Sequence, residues 1–147
     1  MSKRTPAGES LTEIILEIFR LNGSLLEVGN KITKPLNLTS ARWQVMGAIE
    51  IANQPLTVAQ IARRMGLTRQ AVQRITNDLL KLRMVELSPN PDHKRSPLVS
   101  ISTKGEKTMV DLNKSQAKWV SKLAEGISER ELNKVFKMLQ EIRNRIE

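Results

Sequence analysis

The sequence predicts a mainly α fold carrying one small β-hairpin, and three observations predict it. Aromatic residues are scarce (Phe19, Trp43, Trp119, Phe136 and no tyrosine), which leaves Leu, Ile, Val, Met and Ala to build the core. That composition suits packed helices better than a β-sandwich. Apolar positions recur at steps of three and four along most of the chain, the period of a helix with one buried face. Between Val85 and Ser102 the pattern changes to alternation on either side of a charged tip fenced by prolines.

Taken in order, residues 1–9 read as a polar, disordered tail. From Leu11 the apolar positions Leu11, Ile14, Ile18, Leu21, Leu25 and Val28 form the seam of a helix that packs along another helix, and Pro35 lies beyond its end. Thr39 is the expected N-cap of a second helix running to about Ala52, which buries Val45, Ile49 and Trp43 or Met46 before Pro55 closes it. Thr57-Val58-Ala59-Gln60 has capping-box spacing and opens a short third helix that stops at Gly66. Thr68 caps a fourth, expected to reach about Met84. Val85 to Ser88 and Leu98 to Ser102 then alternate as paired strands around the tip His93-Lys94-Arg95. After Thr103 two more helices follow. Met109, Leu112, Gln116, Trp119 and Leu123 form a second heptad-like seam, and Leu132, Phe136, Leu139, Ile142 and Ile146 line the last helix after the capping box at Ser128.

At 147 residues with 39% hydrophobic residues, the chain is long enough for one domain with a substantial core. It has no cysteine, which excludes disulfides, thiolate metal sites and a thiol redox switch together. The longest stretch without a charged residue, Ile51 to Ala62, contains Pro55 and is too short for a membrane span, so a soluble cytoplasmic protein with no membrane partner is expected. The single histidine, His93, sits on the proposed tip, and no glycine-rich phosphate loop is present. Neither catalysis nor a cofactor or metal is therefore expected.

The net charge is +9, which points to a polyanionic partner as well as fitting a merely basic surface. Its distribution is uneven. Between Thr57 and Pro97, Arg63, Arg64, Arg69, Arg74, Lys81, Arg83, Lys94 and Arg95 stand against Asp78, Glu86 and Asp92.

Ile61, Ala62, Met65, Gly66, Leu67, Val72 and Ile75 place apolar residues where two short helices must meet across a tight turn, a pattern that resembles the helix-turn-helix signature and also fits an ordinary helical hairpin in a core. Counted at about 100° per residue, the helix after the turn gathers Ala71, Val72, Ile75, Leu79 and Leu82 on one side. Gln70, Gln73, Arg74, Asn77 and Lys81 fall on the other, with no acid among them. Gln, Asn and Arg carry planar groups that match adenine and guanine edges in the major groove. A two-stranded ribbon with a basic tip directly afterwards completes a winged helix, whose wing reaches phosphates or a narrow minor groove beside the recognition helix.

The stretches "LTSARWQVMGAIE", "LTVAQIARRMGLTRQAVQRITNDLL" and "PDHKRSPLVSISTKG" resemble the MarR family of bacterial transcription regulators. The resemblance implies a single domain over residues 10–147, with a winged helix-turn-helix lobe at 36–102 and dimerisation helices at 10–35 and 103–147. It implies a homodimer on a pseudo-palindromic double-stranded DNA operator, acting as a repressor. The DNA-binding residues expected from the face count and the resemblance together are Thr68, Arg69, Gln70, Ala71, Gln73, Arg74, Asn77, Lys94 and Arg95. The resemblance also implies a cleft for a small aromatic or anionic effector, with Arg42, Trp43 and Trp119 as its candidate residues, although Trp43 also fits the core. Two positions depart from the family pattern. His93 stands where an aspartate usually pairs with the wing arginine, and Arg83 stands where a glycine commonly ends the recognition helix. A winged-helix module that binds protein, or coats DNA without sequence preference, is the alternative reading.

Overall fold

The computed structural model describes residues 3–147 and is mainly α-helical with one two-stranded antiparallel sheet. The elements are α1 (Pro6–Thr33), a 3-10 turn (Lys34–Leu36), α2 (Ser40–Ala52), α3 (Val58–Met65), α4 (Arg69–Lys81), β1 (Val85–Ser88), β2 (Leu98–Ile101), α5 (Thr103–Leu123) and α6 (Glu129–Ile146). Among the described residues, no helix is long and apolar enough to cross a membrane.

The chain divides into two compact units, one running to Leu112 and the other covering Asn113–Glu147. The first contains a winged helix. Its core joins Val45, Met46 and Ile49 of α2, Ile61 of α3, Val72 and Leu79 of α4, and Val85 and Val99 of the sheet. The caps expected from sequence hold this lobe in place. Thr39 Oγ1 accepts the Arg42 N–H, and Thr57 and Gln60 form the reciprocal capping box. Gly66 takes φ +64° to turn α3 into α4, with the Leu67 N–H returning to the Ala62 carbonyl. The ribbon has a further partner: Leu56, in the α2–α3 connection, exchanges both backbone hydrogen bonds with Val99 at 3.0 and 2.7 Å. This pins the root of the wing to the entrance of the helix-turn-helix.

Three boundaries differ from the sequence reading. The expected disordered tail over residues 1–9 is helical from Pro6, because Thr5 Oγ1 accepts the Gly8 N–H and proline suits the first helical position. The fourth helix stops at Lys81 rather than about Met84, because Arg83 adopts φ +59° and reverses the chain. The second seam is split. Met109 and Leu112 are buried with the winged-helix core, so the first half of α5 packs within that unit. Leu123, by contrast, is exposed.

Thr76 of α4 is fully buried, and its Oγ1 has no hydrogen-bond partner among the described residues. An unpaired buried hydroxyl costs roughly 1–3 kcal/mol. Thr76→Val is therefore expected to raise stability by about 1 kcal/mol, a rise of a few degrees in Tm for a domain of this size. Thermal denaturation checks it; a lowered Tm would mean that the hydroxyl is satisfied in solution.

Candidate nucleic-acid interface

The recognition helix α4 begins where Thr68 Oγ1 accepts the Ala71 N–H at 3.1 Å, leaving the Thr68 hydroxyl proton available to a phosphate. Val72 and Leu79 are buried while Gln70, Gln73, Arg74 and Asn77 are exposed, so the helix shows solvent the face counted from sequence. Gln73 Nε2 donates to Asn77 Oδ1 at 2.9 Å. This fixes the Gln73 amide on the helix surface and leaves its Oε1 to accept from a base. Arg69 and Arg74 add charge to the same surface, and Ala71 is half-buried at its edge.

The single acid of this helix, Asp78, lies at the border of that face and is met by Arg42 of α2 at 3.5 Å. A carboxylate facing a phosphate backbone would repel it, and Arg42 offsets that charge while tying α2 to α4.

The wing tip is organised by Asn90, which sequence reasoning did not single out. Its Nδ2 donates to the Ser96 carbonyl at 3.0 Å and its Oδ1 accepts the Asp92 N–H at 3.0 Å, closing the loop that carries Lys94 and Arg95. Both cations are exposed. Among the described residues Arg95 forms no ion pair. Its guanidinium is open to an external anion.

Helix and wing face a common groove of about 590 Å³, lined by Gln70, Gln73, Arg74 and Asn77 of α4, Arg95 of the wing, and Thr57 to Ala59 at the start of α3. The structure thus brings together most of the DNA-binding residues expected from sequence and adds the start of α3. Lys94, Thr68 and Ala71 lie outside the groove lining. Arg42 is engaged by Asp78, Trp43 packs against the winged-helix core, and Trp119 belongs to the other unit.

Residues 36–96, from the 3-10 turn to the wing tip, match the model of the MarR family. The chain is also 32% identical over 120 residues to protein Rv2011c of Mycobacterium tuberculosis and to protein Mb2034c of Mycobacterium bovis, covering 82% of this chain and 82% of each relative. The chain belongs to the MarR family. Its architecture is shared with transcriptional regulators of known structure. A MarR/EmrR family transcriptional regulator from Acinetobacter sp. ADP1 superposes with a TM-score of 0.82 at 19% identity, covering 92% of this chain and 95% of that one. The transcriptional regulator BldR from Sulfolobus solfataricus gives 0.81 at 19% identity, over 97% and 99%. A mutant MarR from E. coli complexed with operator DNA gives 0.78 at 21% identity, over 90% and 95%. In this MarR-family chain, the matched segment ends at Ser96, so it takes in the recognition helix, β1 and the basic tip.

Proposed function

We propose that this MarR-family chain is a sequence-specific double-stranded DNA-binding transcriptional regulator that represses by occupying a pseudo-palindromic operator as a homodimer. One observation carries the reading: Gln70, Gln73, Arg74 and Asn77 of one helix and Arg95 of the wing surround a single groove, with no carboxylate among its lining residues. The helix residues are the types that read base edges, and an unpaired wing arginine suits phosphate or minor-groove contact. The family's structure with operator DNA is consistent with this use of the fold. Such a role places the protein in the cytoplasm. It also leaves room for release by a small aromatic or anionic effector, for which Arg42, Trp43 and Trp119 remain the candidate residues.

Surface chemistry supports the homodimer. On α1, Leu16, Phe19 and Leu21 are more than half exposed, and on α6 Val135, Phe136 and Met138 are as well. Apolar stripes of this kind mark association surfaces, and a closed two-fold dimer would match the symmetry of a palindromic site. Competition between a duplex selected from a random pool and a scrambled duplex tests the reading. A preference of about 10³ or more is expected of a regulator, whereas equal competition would instead indicate nonspecific coating.

A further inference from the structure

The two DNA-facing elements meet at a turn of two residues. The recognition helix closes at Leu82, β1 opens at Val85, and between them Arg83 holds φ +59°. Its N–H donates to the Leu80 carbonyl and the Met84 N–H to the Leu79 carbonyl, the pairing of a Schellman cap. A side chain other than glycine is strained there, and such a conformation persists when its surroundings over-determine it.

The surroundings are four consecutive residues at the β2–α5 junction. Ser102 Oγ donates to the Arg83 carbonyl at 2.6 Å, the Ser102 N–H donates to the Met84 carbonyl at 3.0 Å, and Lys104 Nζ donates to the Leu82 carbonyl at 2.9 Å. Three successive carbonyls at the end of the recognition helix are thus all taken up from one side. The Ser102 hydroxyl also accepts the Gly105 N–H at 3.0 Å, capping α5, so one nearly buried oxygen serves both elements. At Gly105, a Cβ would collide with the Met84 carbonyl oxygen and come within 2.7 Å of Ile101 Cγ2. The close approach therefore depends on glycine. Lys104 in addition sets a positive charge at the negative end of the α4 dipole. Ser102 follows directly on the Val85–Ile101 strand pair, so the contacts that hold the helix end also hold both strands at the root of the wing.

We propose that Ser102, Lys104 and Gly105 form a clasp that fixes the angle between recognition helix and wing, making them positioning residues for DNA discrimination although none need touch DNA. The proposal rests on the DNA-reading role of α4 and the wing. A register shared between base contacts and phosphate contacts demands a fixed angle between the parts that make them, whereas nonspecific association does not.

The test uses the full-length chain, a duplex enriched from a random pool by the wild type, and a scrambled duplex of the same length. Ser102→Ala, checked by far-UV circular dichroism for an intact fold, is expected to lower the ratio of enriched to scrambled affinity about tenfold, the effect of losing one well-made buried hydrogen-bond pair. Ser102→Thr, which keeps the hydroxyl, should recover most of the ratio. Exposed Lys104 supplies a variant that folds readily: Lys104→Met should lower the ratio about threefold, while Lys104→Arg, which keeps charge and donors, should hold it. Loss of positive charge alone lowers affinity for both duplexes and leaves their ratio unmoved. If Ser102→Ala and Lys104→Met destabilise the protein but preserve the ratio, the clasp is only structural and the proposal falls. A wild type with no preference between duplexes would overturn the DNA-reading role and the clasp with it.

Discussion

Replacing Gln73 by alanine is expected to weaken binding to the selected duplex by about 1–3 kcal/mol per half-site, and by up to double that in a symmetric dimer. Binding to scrambled DNA should change far less. The expectation follows from the position of Gln73 on the exposed face of α4 and from its hydrogen bond to Asn77, which orients the amide before any base arrives. Arg95→Ala should behave differently. Its guanidinium is exposed at the wing tip and forms no ion pair among the described residues, so its removal should weaken every sequence to a similar degree and reduce the salt slope by about one unit for each phosphate it would neutralise. Titration of both variants against both duplexes at several salt concentrations separates the roles. A Gln73 variant that loses affinity equally for both duplexes would remove that residue from base reading.

The second large effect concerns assembly. Phe136 is 60% exposed on α6, at the centre of an apolar row that includes Leu132 and Leu139. Phe136→Asp places a charge in that row and is expected to convert a dimer to a monomer at micromolar concentration, because a carboxylate buried without a partner cannot be tolerated at an apolar interface. Since a monomer holds one half-site without the linked second, affinity for the full site should fall by about 10²-fold or more. Light scattering and titration report the two effects together. A wild-type chain that is monomeric yet binds the full site specifically would contradict the dimer.

Much of this architecture is legible in the sequence because it rests on local signals. Thr39, Thr57, Thr68 and Ser128 each cap the helix expected of them, and the Thr57–Gln60 box is present in full. The recognition face is legible for the same reason, since a 100° step per residue needs no tertiary information. What escapes are features made by residues distant in sequence. The single-residue bridge of Leu56 to Val99 leaves no period to detect. The burial of Met109 and Leu112 cannot be separated from a dimer seam by pattern, because an apolar stripe looks the same whether the winged-helix core or a second chain covers it. Arg83 hides the end of α4: without glycine as a stop signal the helical pattern runs on to Met84, while the left-handed turn is held by Ser102 and Lys104 from the far side of the wing.

Competition binding decides whether α4 reads bases while the wing grips the backbone. Wild-type protein bound to the selected duplex is challenged with unlabelled selected or scrambled DNA near physiological salt. The scrambled duplex should compete about 10³-fold more weakly or worse, and the selected sequences should show two related half-sites whose centres lie about one helical turn apart. Equal competition by both duplexes, or a pool that stays random through selection, would contradict it.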